Sequence, residues 1–149
     1  MTNKEYVLET MRQYGAAAAK EVQAKAAEMT GTELYDKEGF IPSFVAAIAK
    51  KNMLERSAGF VCESSAGHVV RLLQPYDSTV YTDEPEAYPA LWGFVWSTDP
   101  AKARPFVAIS TSPYNTGDCC TDDGKTYRST IDNNVWAPHD YPAGWEEVA

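Results

Sequence analysis

A chain of 149 residues suits one domain, or a small domain with an appendage. Its 44% hydrophobic and 23% charged content is ordinary for a globular protein, and its longest apolar runs, "AAAA" at 16–19 and "FVAAIA" at 44–49, are far too short to cross a bilayer. The net charge of −8 lies wholly in residues 57–149, which hold five basic and thirteen acidic side chains against eight of each in residues 1–56; that balance argues against a phosphate-backbone partner such as nucleic acid.

The N-terminus, "MTNKEYVLETMRQYG", has early acids and no apolar h-region, so it is not read as a signal peptide. It opens a segment rich in Ala, Glu, Lys and Gln, for which a helix is predicted, capped by Thr2 or Asn3 and ended by Gly31. Val7, Met11, Tyr14, Ala18 and Val22 form a narrow stripe at three- and four-residue spacing. The stripe suits either packing on the chain's own domain or self-association as a coiled-coil trimer or dimer. A second helix is predicted over residues 39–53, with Pro42 near its start and Lys50 and Lys51 near its end.

From Ser57 onward the texture changes. "GFVCES", "HVVRLL", "STVYT", "GFVWST" and "PFVAIS" are short β-branched or aromatic runs between Gly, Pro, Asp and Ser, and read as strands of an antiparallel, turn-rich unit. All four Trp residues fall in this half, and "YTDEPEAYP" at 81–89 reads as a loop. The expected class is therefore α+β, with helices in residues 1–56 serving as an anchoring or oligomerisation segment and a β-rich region in residues 57–149.

Catalytic and metal chemistry find little support. A glycosidase needs two carboxyl groups across a cleft, about 5–9.5 Å apart, and no acidic pair stands out from surface charge. His68 and His139 have no visible nucleophile beside them. Cys62, Cys119 and Cys120 are an odd count without a secretion signal, so free thiols are expected. With His139 they offer metal donors, but in no zinc-like spacing; Asp118, Asp122 and Asp123 in "GDCCTDDG" are faintly calcium-like without the spacing of a known loop. Neither an enzymatic activity nor a cofactor or metal is expected.

The stretch "SPYNTGDCCTDDGKTYRSTIDNNVWAPHDYPAGWEEV", residues 112–148, has its own physical logic. Gly124 lets "CCTD" turn back on "TYRS" as a hairpin, Tyr127 and Trp145 can build a small core, and Pro138 and Pro142 stiffen the last loop. The order Tyr114, Gly117, Asp118, Gly124, Tyr127, Pro138, Trp145 resembles the small chitin-binding-like carbohydrate-binding modules of families five and twelve. The longer stretch from Ala66 to Cys120 looks like small prophage-encoded proteins associated with tails. The first resemblance implies a compact three-stranded antiparallel unit that stacks aromatic side chains on sugar rings.

Where such modules place their exposed aromatics this chain has Ile131 and Asp132, so the resemblance puts the platform on Trp136, with Tyr141, Asn133, Asn134 and Asp132 as accessory groups. Trp136 would otherwise pack inward with Pro138 and Pro142. Together the resemblances imply a non-catalytic, tail-associated structural protein of a phage or prophage, made in the bacterial cytoplasm and carried in the virion. Its implied partners are a cell-wall or chitin-like polysaccharide, other particle proteins and further copies of itself, as a trimer through the N-terminal helix. The alternative is a docking or assembly module without a sugar site.

Overall fold

Short local signals set the helices. The structure, a computed structural model, describes residues 2–148. Thr2 and Glu5 form a reciprocal capping box (Glu5 N–H to Thr2 Oγ1 3.1 Å, Thr2 N–H to Glu5 Oε2 2.7 Å) that starts α1, Asn3–Lys25. Helix α1 ends six residues before Gly31, in a 3-10 turn at Ala26–Glu28. There the Ala26 carbonyl accepts from Met29 N–H and, at 2.8 Å, from the Arg71 guanidinium. Gly31 is thus a helix start rather than the predicted stop. A second capping box, Thr30 with Glu33, opens α2, Gly31–Asp36.

The predicted helix over 39–53 is shorter than expected. It resolves into a 3-10 turn at Glu38–Phe40, α3 at Phe44–Lys50 capped by the Ser43 hydroxyl, and another 3-10 turn at Met53–Glu55. Pro42 sits before the cap, because the residue ahead of a proline is biased to extended backbone and Ile41 adopts it (φ −104°, ψ 125°).

Among the described residues, seven strands form two sheets. One is antiparallel in the order β1 (Val61–Glu63), β2 (Val69–Leu72), β3 (Trp92–Phe94). The other runs β4 (Arg104–Pro105), β5 (Cys119–Asp122), β6 (Lys125–Ser129), β7 (Trp145–Val148). Its last three strands are antiparallel, as expected of residues 112–148, and β4 adds to them in parallel. The class is α+β.

Two expected strands are absent. In "STVYT" the Asp77 carboxylate takes the Thr79 N–H and hydroxyl at 3.0 and 2.6 Å, which closes a turn instead. "PFVAIS" pairs only at its first residue, and beyond it Ile109 is buried without belonging to a ladder.

Strand periodicity explains how the layers join. On the first sheet Val61 and Val69 face Val22, Ala26, Leu34, Tyr35 and Ile41, whereas Cys62, Val70 and Leu72 face a larger core with Phe44, Met53, Trp92, Trp96, Tyr114 and Trp145. Residues from the helical third therefore share both cores with the β region. Gln23 behaves as a surrogate strand along the β1 edge, its amide donating to Val61 O (2.7 Å) and accepting from Val61 N–H (3.0 Å).

Gly31 lies against the backbone of Trp96, where an added Cβ would run into the carbonyl. Gly31→Ala is expected to lower stability by about 2–3 kcal/mol, read as a fall in Tm of roughly 5–10 °C.

Candidate carbohydrate-binding site

The loop between β6 and β7 is held from three sides. Beneath it, the β5–β6 hairpin turns on Asp123 (φ 51°) and Gly124 (φ 76°), the two left-handed residues of a type I′ turn. On one flank Asn134 forms a backbone bridge with Tyr114 (Asn134 N–H to Tyr114 O 2.7 Å, and the reverse 2.9 Å). Asp122 then ties the hairpin to the loop by accepting from the His139 N–H (3.1 Å) and pairing with its Nδ1 (2.7 Å). That carboxylate raises the His139 pKa above its ordinary value, first by the hydrogen bond and then by its charge.

Trp145 is buried and donates its indole N–H to Trp136 O at 2.7 Å, which fixes the loop backbone where the Trp136 side chain leaves it. Trp136 itself is 50% exposed and Tyr141 42% exposed. Their rings meet at 66° with centroids 5.5 Å apart, forming a corner rather than a flat shelf. The corner belongs to a surface cleft of about 540 Å³ lined by Ile131, Asp132, Asn133, Trp136, Asp140 and Tyr141.

Four of the five residues expected in a sugar site line this cleft: Trp136, Tyr141, Asp132 and Asn133. Trp136 faces outward, so its inward packing with Pro138 and Pro142 is not observed. Asn134 is the exception and a correction. It is fully buried, and its amide donates to Ser129 Oγ (3.0 Å) and Gly144 O (3.1 Å) while its oxygen accepts from Trp136 N–H (3.2 Å), so it positions the loop and cannot touch a ligand.

Asp132 is anchored too. The Thr116 N–H donates to it at 3.0 Å, and this bond holds its carboxyl below the usual range, so it is ionised at neutral pH. Asn133 adopts a left-handed backbone (φ 54°), and its N–H donates to Asn115 Oδ1 at 3.0 Å. Sequence reasoning missed these supports, Asn115, Thr116, Ser129 and the Asp122–His139 pair. Asparagine tolerance of positive φ was the one available signal for Asn133.

Elsewhere the thiols are free and buried, and burial pushes Cys62 and Cys120 well above the ordinary thiol range. Among the described residues no group of three or more His, Cys, Asp or Glu side chains is placed to hold a metal ion. Ser64, Glu86 and His68 do cluster, but the Ser64 hydroxyl donates to Glu86 (2.5 Å) rather than to the imidazole, which is not the geometry of an activated nucleophile. No helix among the described residues is long and apolar enough to cross a membrane. The chain matches no family model, no curated protein and no solved structure.

Proposed function

We propose that this chain is a non-catalytic, tail-associated structural protein of a phage or prophage, whose 131–141 loop binds cell-surface or chitin-like glycans. The observation that carries the reading is the braced, outward-facing corner of Trp136 and Tyr141 with Asp132, Asn133 and Asp140 at its rim. Aromatic faces pack on the C–H face of a pyranose ring, and amide and carboxylate groups take the neighbouring hydroxyls.

Two rings inclined at 66° cannot both lie on one flat crystal face, so the ligand favoured is a single soluble chain or a chain end. The rim carries two carboxylates and no Lys or Arg, which favours neutral or amino sugars over uronate or phosphate-bearing ones. Weak single sites suffice where many copies act together on one particle.

Tryptophan fluorescence during titration with soluble chitin oligomers and host cell-wall fragments tests this. The expected result is a saturable change that Trp136→Ala abolishes without moving Tm, and that Asn133→Ala weakens by roughly 3- to 10-fold, the loss of about one hydrogen bond. No response to any glycan, with no retention on insoluble chitin or cell walls, rejects the sugar site. Docking to another particle protein then leads, and one observation favours it: Leu73, Val80 and Tyr81 are 47–66% exposed, apolar side chains that a sugar site at Trp136 leaves unexplained.

A further inference from the structure

Helix α1 is only half attached. Of its 23 residues Val22 alone is buried, and Val7, Leu8, Met11 and Tyr14 stand 53–74% exposed. Residues 3–14 form an overhang about 18 Å long at 1.5 Å per residue, and an isolated helix of that length is marginal in water. Its stripe is no accident of composition. Leu8, Gly15 and Val22 are spaced by seven, as are Met11 and Ala18, so the exposed apolar residues lie on the same side of the helix as the residues that meet the body.

The body offers a matching recess. A groove of about 360 Å³ beside α1 has an apolar floor of Ala18, Val22, Met29 and Phe40, with Tyr14, Lys37 and the Glu21–Lys25 ion pair at its edge. Phe40 is 36% exposed there. Overhang and groove are thus two unfilled halves of one apolar surface on one chain.

The geometry points to a second copy of this chain as the occupant, joined as an antiparallel two-fold dimer in which each overhang lies in the groove of the other. Three observations select this arrangement. First, charge: residues 1–56 are neutral while residues 57–149 carry the whole −8, so two copies repel least when the helical ends meet.

Second, sterics: body and stripe share one side of α1, so a parallel pair or three-fold stalk would drive the bodies into the same space. Antiparallel pairing sets each body beside the other's bare overhang. Of the trimer and dimer that the stripe's spacing allows, this is a dimer. Third, size: with the two-fold between Tyr14 and Gly15, Met11 meets Ala18 and Tyr14 meets Gly15, large side chains over small ones, and Val7 lies over Val22. The four stripe residues of each copy, together with the groove walls they cover, bury on the order of 1,000 Å² in total, about what a specific interface needs. The dimer is independent of the sugar reading.

Light scattering and sedimentation from micromolar to near-millimolar protein are expected to give twice the 16.5 kDa chain mass. Met11→Asp, on a residue that touches nothing in the body, is expected to weaken association roughly 30-fold or more and to leave Tm at dilute concentration unchanged. Orientation is read by mixing Lys4→Cys and Lys25→Cys variants under mild oxidation, the native thiols being buried. A cross-link between the two different variants supports the antiparallel dimer. A monomer throughout the range, a trimer mass, or a Lys4→Cys self-cross-link overturns it.

Discussion

His68→Ala is expected to remove about 3–5 kcal/mol of stability, from the cavity left in an aromatic core together with two lost hydrogen bonds. His68 is 2% exposed and sits edge-on to Phe94 and Trp96, with ring centroids 5.8 and 5.6 Å away. Its Nδ1 is 2.7 Å from Glu86 Oε1 and its Nε2 2.6 Å from Pro105 O. Both partners offer acceptor oxygens to the ring. The residue joins the two sheets, because His68 precedes β2 and Pro105 belongs to β4. Alanine would leave Glu86 with only the Ser64 hydroxyl, and a cavity beside two aromatic rings.

The pH dependence follows in sign. Desolvation pushes the Glu86 carboxyl up, but the bonds from His68 and Ser64 outweigh it, and its folded pKa lies below the ordinary value. A depressed carboxylate stabilises the fold above its unfolded pKa of about 4.3 and loses that contribution as pH falls through the folded value. Urea denaturation across a pH series is therefore expected to show stability falling below about pH 4.5 in the native chain, with a shallower fall in His68→Ala. Equal slopes in the two proteins would remove Glu86 from the account.

What could be read from the sequence was what depends on neighbours along the chain. The Thr2 cap, the Asp-Gly hairpin at residues 123–124 and the buried Trp145 each rest on local geometry or size, and each is found in place. Gly31 misled because glycine serves both as a helix stop and as a residue that permits close approach, and only the neighbouring Trp96 backbone distinguishes them. "STVYT" has a strand's composition, yet one Asp at its head captures the backbone it needs. Tertiary contacts decide such runs.

The same division runs through the site. Exposed aromatics in a Pro- and Asn-rich loop were legible, and Trp136 and Tyr141 do form the corner. The two neighbouring asparagines were not separable by type. Asn133 and Asn134 differ in that one takes a positive φ and faces solvent while the other bridges to Tyr114 and turns inward. That pairing spans twenty residues of sequence and leaves no mark on composition.

Asn134→Ala is the sharper test of how this site is built. Three hydrogen bonds would go at once: the Ser129 hydroxyl keeps only its donation to Ile131 O, the Gly144 carbonyl keeps only the Thr130 N–H, and the Trp136 N–H is left with no partner. The Trp136 N–H is a backbone donor that no other group stands ready to satisfy. The expected loss is about 3–4 kcal/mol, a fall of roughly 10 °C in Tm. Asn134→Asp should be worse, since it keeps the acceptor for Trp136 but sets a carboxylate oxygen against the Gly144 carbonyl, a buried charge facing a buried acceptor.

Both variants should also weaken any glycan response, although Asn134 never reaches the ligand, because the Trp136 backbone is held through it. Trp136→Ala loses the response at unchanged Tm, whereas Asn134→Ala loses it together with stability. A variant of Asn134 that keeps its full Tm would mean the bridge to Tyr114 alone holds the loop, and that the amide is dispensable.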